Sequence, residues 1–311
     1  MSDLKTTPEH ETTPPPAVPR QAATVILLRQ PGDDVEVLVI RRHENLAFMG
    51  GLWVFPGGTL ARADSLSQVL ARIPPDARQR CERFLDVQGE PLPQEQCLGL
   101  TVAAHRETFE ETGVLLARRA DGRDCEPDLL AAIQARRAAI AERPELFAAL
   151  LEEQHLVLDI ERLVYWAHWI TPGSAPRRFD TRFFIAAMSS QQKATIDAVE
   201  AVEHAWMRPA TLVEAAHEGK LPLSPPTLFN LMELAAELRR HGSLDALLSA
   251  AARRTISPVL PKLVREGHAR TIVMPWDAAY DSLPGTGVPA GLNYPDALRN
   301  LPSRTSEARR A

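Results

Sequence analysis

The segment RETFEETG at 106–113 commits this chain to a helix with three carboxylates on one side and a glycine at its end. On a helix advancing about 100° per residue, Glu107 and Glu111 lie about 40° apart, and Glu110 about 60° to the other side of Glu107. All three share one face. Leu98, Val102, His105 and Phe109 recur on the opposite face as a core-facing stripe. The helix is expected from roughly Gln94 to Thr112, with Gly113 stopping it. Like charges four residues apart repel, and more so when partly buried. Arg106 offsets part of this through Glu110, and a hard dication such as Mg²⁺ or Mn²⁺ would offset far more. Ala103 and Ala104, one turn earlier on the carboxylate side, would leave room for a substrate. An E-x-x-E-E pattern alone is usually a solvated face. Its weight here comes from the preceding arginine, from Gly113, from the apolar VLL after it and from VFPGG at 54–58.

Around that helix the chain reads as an α/β (α+β) protein, a mixed β-sheet sandwiched between helices. Residues 1–20 are polar and proline-rich, a disordered leader by composition. ATVILLR, PGDD and VEVLVIRR read as a β-hairpin, and LWVF at 52–55 as a third strand. Two mainly helical insertions are expected near 65–97 and 121–157, the second broken at Pro144. Strand character returns at 162–171 and 177–188, and helical patterns follow near 209–218, 226–240 and 243–253. The main domain therefore covers 21–240. Residues 241–311 hold a C-terminal helix and a Pro-rich, loop-like tail from Thr255, packed on the domain or extending from it.

With 40 acidic against 35 basic residues and no basic run, the surface offers no footprint for nucleic acid. No apolar stretch is long enough for a membrane span, and the N-terminus has no signal-peptide core. Cys81, Cys97 and Cys125 are odd in number and lack metal-ligand spacing, which suits reduced thiols in the cytoplasm.

The segment 106–114 resembles the second half of the Nudix box: Arg106, Glu107, Glu110, Glu111, Gly113 and Val114 match it position by position. Thr108 stands where an apolar residue is usual. Gly57 and Gly58 match the opening glycines, and Asp64 follows after five intervening residues, where a glutamate is usual. The box is split by residues 65–97, which leaves the role of Asp64 open. The order VFPGG, insertion, RETFEETGVLL, insertion, HWITP and RRFDTRFF resembles the Nudix branch that includes mammalian peroxisomal CoA diphosphatase. The resemblance implies a metal-dependent hydrolase of a nucleotide-linked diphosphate, CoA or acyl-CoA first. It implies Glu107, Glu110 and Glu111 as Mg²⁺ or Mn²⁺ ligands, with Arg106 fixing Glu110. The small-molecule substrate would be the partner, with a homodimer compatible; a non-catalytic nucleotide sensor on the same fold is the alternative. From position alone, the insertions would form a lid or acyl-accommodating wall.

The remaining polar residues keep two readings each. Arg41 and Arg42 end a strand and would meet substrate phosphates, or are an ordinary charged strand end. Alternation sends Arg178, Asp180 and Arg182 to one strand face, as a phosphate-facing patch or a satisfied salt-bridge ladder. Glu200 and Glu203 are the candidates for the general base. His168 and His204 read as packing or surface histidines, and Trp166, Trp169 and Trp206 as core or base-stacking residues.

Overall fold

The computed structural model describes residues 17–75, 77–79, 84–196, 200–266 and 269–306. Expectations for residues 1–16 and for Cys81 fall outside that range. Strand β1 (Arg20–Arg29) and β2 (Glu36–Arg42) form the expected antiparallel hairpin, with Leu28 opposite Val37 and Gly32 at φ 70° in the turn. β3 (Trp53–Val54) pairs with β2, and β4 (Gly57–Thr59) turns back to pair with β1. A 3-10 turn at Arg62–Ser65 and the short helix α1 (Ser67–Leu70) open the first insertion. The long helix α2 (Gln94–Thr112) has the bounds expected from sequence, and Gly113 caps it at φ 69°.

β5 (Ala117–Arg119) and β6 (Leu156–Leu158) pair at the base of the second insertion. That insertion folds into α3 (Pro127–Gln134), α4 (Arg137–Glu142) and α5 (Glu145–Glu153). β7 (Leu163–Ile170) and β8 (Phe179–Ala187) follow, then β9 (Ala201–Met207). Three helices come next: α6 (Pro209–His217), α7 (Pro225–His241) and α8 (Leu244–Ala251). Among the described residues eight strands form one mixed sheet in the order β10-β7-β8-β1-β2-β3, where β10 is Pro258–Val259, β4 joins β1 and β9 joins β2. β1 lies parallel to β8 and antiparallel to its other partners.

Alternation along β1 feeds two cores. Ala23, Val25 and Leu27 face α2, while Ile26 and Leu28 face the opposite side with residues of α6, α7 and α8. The sandwich expected from sequence is therefore present. Both insertions contribute to the α2-side core instead of standing as a lid. Phe84 contacts Tyr165 and Phe184, and Phe147 of α5 stacks on Phe109 of α2. Ala103 and Ala104 are fully buried in this core, so their small size allows close packing and leaves no substrate space.

Three segments depart from the sequence reading. β9 was not expected as a strand; its residues are too polar for the pattern of a buried strand, because one edge faces solvent. The tail is ordered: β11 (Lys262–Glu266), β12 (Ala269–Val273) and β13 (Arg304–Ser306) form a second sheet, with α9 (Asp296–Arg299) before its last strand. Met274, Tyr294 and Leu298 fill the α7-side core, so prolines here bend a packed chain. At the other end the last residues of the expected leader belong to the fold, since Ala17 accepts a hydrogen bond from Arg178 and β1 starts at Arg20.

Candidate active site

The turn after β3 brings the glycine pair against α2. The Gly57 N–H donates to Glu111 Oε2 at 2.9 Å. A Cβ on Gly58 would lie 2.4 Å from the Glu107 carboxylate, and one on Gly57 would lie 2.5 Å from the Ala23 carbonyl. Backbone crowding and a φ of 157° call for glycine at Gly57, while a side chain at Gly58 would have to displace the Glu107 carboxylate. The pair matched the box in sequence; the structure shows that it seats two of the three glutamates.

Arg106 is the hub. Its guanidinium makes a bidentate pair with Asp64, Nε to Oδ1 at 2.7 Å and Nη2 to Oδ2 at 2.9 Å. Nη1 reaches Glu107 at 2.9 Å and Glu110 at 3.1 Å, and Nη2 donates to the Thr59 carbonyl. Asp64 in turn accepts from the Ala61 N–H at 2.8 Å. Asp64 and Arg106 are 1% and 3% exposed, so this is a buried pair that closes the box across the 65–97 insertion. The sequence left Asp64 open because spacing along a chain cannot show which distant segments a fold brings together. Behind α2, Arg137 of the second insertion donates to the Glu110 carbonyl at 2.6 Å and to Thr195. That contact left no motif in the sequence.

Three carboxylates in so little water repel their own charge. Burial raises the pKa of Glu110 to about 7, against the pull of Arg106 and with the help of Glu107. Burial lifts Glu111 well above the usual carboxylate range, and Glu107 adds to this, while the Gly57 N–H and Arg42 oppose it. Burial raises Glu107 as well, with Arg106 opposing. Burial works against the charge on Arg106, but Asp64 and the glutamates outweigh it and hold it protonated.

Among the described residues, no three acid, histidine or cysteine side chains converge as a ready cage for an ion. Glu107 and Glu110 turn to Arg106, and Glu111 turns to Gly57. The donor set nevertheless fits a divalent cation. Hard carboxylate oxygens suit such an ion, and buried Glu110 Oε1 has no hydrogen-bond partner among the described residues. One guanidinium shared by Asp64, Glu107 and Glu110, with Glu111 beside them, leaves a surplus of acids for a dication to neutralise.

The two candidate arginine–glutamate pairs beside the glycine turn separate. Arg42 pairs with Glu200 at 3.4 Å; Arg42 acts electrostatically on Glu111, and Glu200 on both Glu107 and Glu111. Arg41 pairs instead with Glu203 at 3.2 Å and with Glu44. Alternation along β2 turns Arg41 to the α7 side of the sheet. Arg41 and Glu203 thus lie on the sheet face away from the glutamates, and Arg42 and Glu200 lie on the side of Glu111.

Arg178 and Arg182 are engaged within the fold. Arg182 is fully buried, bonding Asp180 Oδ1 at 2.7 Å, Gln21 and the Leu85 carbonyl. Arg178 donates to the Thr171 and Ala17 carbonyls. Arg182 and Asp180 form a buried ion pair under the first insertion, and Arg178 is tied to backbone carbonyls, so neither arginine is free for a phosphate patch. His168 belongs to that network through Asp180. Trp166 and Trp169 are core residues, and Trp206 lies under the Arg29 guanidinium.

A family model described as the NUDT19 Nudix domain matches residues 19–234. The acyl-coenzyme A diphosphatase NUDT19 of Gallus gallus is 30% identical over 257 residues, which cover 69% of this chain and 68% of that protein. The Homo sapiens protein of the same name is 26% identical over 298 residues, 87% of this chain and 76% of that protein. A NUDIX hydrolase crystal structure from Alicyclobacillus acidocaldarius aligns with a TM-score of 0.58 at 26% identity, over 77% of this chain and 97% of that one. The matched region contains the glycine pair, Asp64 and the whole glutamate helix.

Proposed function

The chain belongs to the Nudix hydrolase family described by the NUDT19 Nudix domain, and from that premise we propose that it cleaves the diphosphate of CoA or an acyl-CoA. The observation that carries this reading is the completed box: Gly57, Gly58, Asp64 and Arg106 hold Glu107, Glu110 and Glu111 together despite the insertion. The relatives named acyl-coenzyme A diphosphatase support the substrate class.

Glu107, Glu110 and Glu111 are the residues to hold Mg²⁺ or Mn²⁺. Such an ion supplies Lewis-acid polarisation of the diphosphate and acidifies a bound water. Arg106 orients Glu107 and Glu110 and opposes the rise of their pKa, and Asp64 keeps Arg106 in place. The Gly57 N–H orients Glu111. Glu200, half exposed beside the glutamates, is our assignment for the base that takes the proton of the attacking water. Arg42 orients Glu200 and offers its guanidinium to a phosphate oxygen. Buried thiols at Cys97 and Cys125 support a reducing, cytoplasmic setting.

A panel of CoA, acyl-CoA, NADH, ADP-ribose and diadenosine polyphosphates with Mg²⁺ or Mn²⁺ tests the proposal. Fastest release of adenosine 3′,5′-bisphosphate and a phosphopantetheine from the CoA compounds is expected. Faster turnover of NADH or ADP-ribose would overturn the substrate class.

A further inference from the structure

On the α7 side of the sheet, opposite the glutamate helix, lies a cleft of about 310 Å³ between α7, α8 and the tail. The family match ends at residue 234, so most of this cleft is built by chain beyond it; Trp166 of β7 comes from within. Leu247 and Ala251 of α8 and Pro295 give it apolar walls. Arg254 stacks over the Trp166 ring at 4.3 Å and is held by Glu233. Trp166 is fully buried, yet its indole N–H has no hydrogen-bond partner among the described residues. A buried donor left without an acceptor is costly, and natural structures seldom leave one.

The mouth is cationic. Arg240 touches Glu237 only at 3.7 Å, and His241 already bonds that carboxylate at 3.1 Å. Arg253 is exposed and has no ion pair among the described residues. Arginines at the ends of α7 and α8 suit the negative ends of those helices, but helix ends do not require an apolar cleft with an unsatisfied indole between them. Two open guanidinium forks match an oxyanion of about two charges, the charge of a phosphate monoester near neutral pH. The volume is at the small end of ligand sites, enough for a compact organic body against the apolar walls.

We propose that this cleft is a second binding site, for a small organic phosphate monoester, with Arg240 and Arg253 on the phosphate and the body of the ligand against the apolar walls that adjoin the Trp166 indole. The site is separate from the diphosphatase centre and stands independently of the substrate reading.

The test is ¹H–¹⁵N NMR of the tryptophan indoles, the Trp166 signal being assigned from W166F. Titration with 5′-AMP, which has no diphosphate to cleave, should move that signal saturably in the wild type and in E111Q. In R240A/R253A the shift should be lost, with the melting temperature and diphosphate hydrolysis kept, since both arginines are solvent-exposed. Adenosine, without the phosphate, should bind at least ten-fold more weakly. No shift, or a shift that survives R240A/R253A, overturns the proposal. Equal affinity for inorganic phosphate and AMP also overturns it, leaving an anion contact without a ligand site.

Discussion

Two glutamates of the site, Glu107 and Glu111, depend on glycine neighbours that carry no side chain. Gly58 is the sharpest case, because any side chain there occupies the space of the Glu107 carboxylate. Gly58→Ala should lower kcat by about 100-fold, the cost of misplacing a catalytic group by an ångström, while the fold persists; unchanged turnover would show that Glu107 tolerates the displacement. Asp64→Ala removes the bidentate partner of Arg106 and leaves Glu107 and Glu110 to compensate its buried charge, so it should cost about 1–3 kcal/mol of stability by chemical denaturation. A loss below about 1 kcal/mol would contradict the buried-pair account. At this scale the sequence spoke clearly for residues fixed by local geometry. Glu107, Glu110 and Glu111 share a face because a helix has one period. For Arg182 the sequence leaves two readings open, because alternation assigns a strand face without saying what covers it, and the cover comes from Leu85, nearly a hundred residues away.

Among the elements, α2 was readable to its last residue, since its stripe, its acids and Gly113 all agree. β9 and the tail strands were not readable. They are short or half exposed, and their order comes from partners far along the chain, Trp206 of β9 pairing with Leu38 of β2, for example. The β7–β8 pair holds a proton-linked network that gives a test of its own. Burial and Arg182 push the pKa of His168 below its usual value, against the pull of Asp180 and Asp86. His105 of α2 is likewise lowered by burial. Burial raises Asp180, but His168, Arg182 and Gln21 outweigh it and hold it at about 2. Below pH 6.5 the unfolded chain takes up protons that the folded histidines refuse, so these two histidines lower stability as pH falls, whereas the raised carboxylates Glu107, Glu110, Glu111 and Glu233 take up protons in the folded chain and act the other way. Each histidine contributes at most about 1.4 kcal/mol per pH unit. Asp180 adds its own loss only as pH drops from 3.8 toward about 2. Between pH 6.5 and 5, His168→Gln should make the slope of denaturation free energy against pH less positive than that of the wild type; an unaltered slope would place the proton uptake elsewhere.

For the molecule as a whole, one sheet separates two cores, and the C-terminal tail completes the one that does not touch the glutamates. Trp276 packs on Phe229 and Tyr294, and β10 extends the sheet beside β7. Deleting residues 255–311 should therefore abolish cooperative unfolding, seen by calorimetry, instead of trimming a loose end. A truncated chain with the wild-type melting temperature would restore the loop-like view of the tail. The central claim concerns the other core, where α2 presents three carboxylates to a divalent ion. The measurement that tests it most directly is CoA hydrolysis by the wild type and Glu111→Gln across a titration of Mg²⁺ and of Mn²⁺. The account predicts strictly metal-dependent release of adenosine 3′,5′-bisphosphate by the wild type, and at least about 100-fold slower turnover by the folded variant even at saturating metal. Hydrolysis by the wild type without a divalent ion, or near-native turnover by Glu111→Gln, would contradict it.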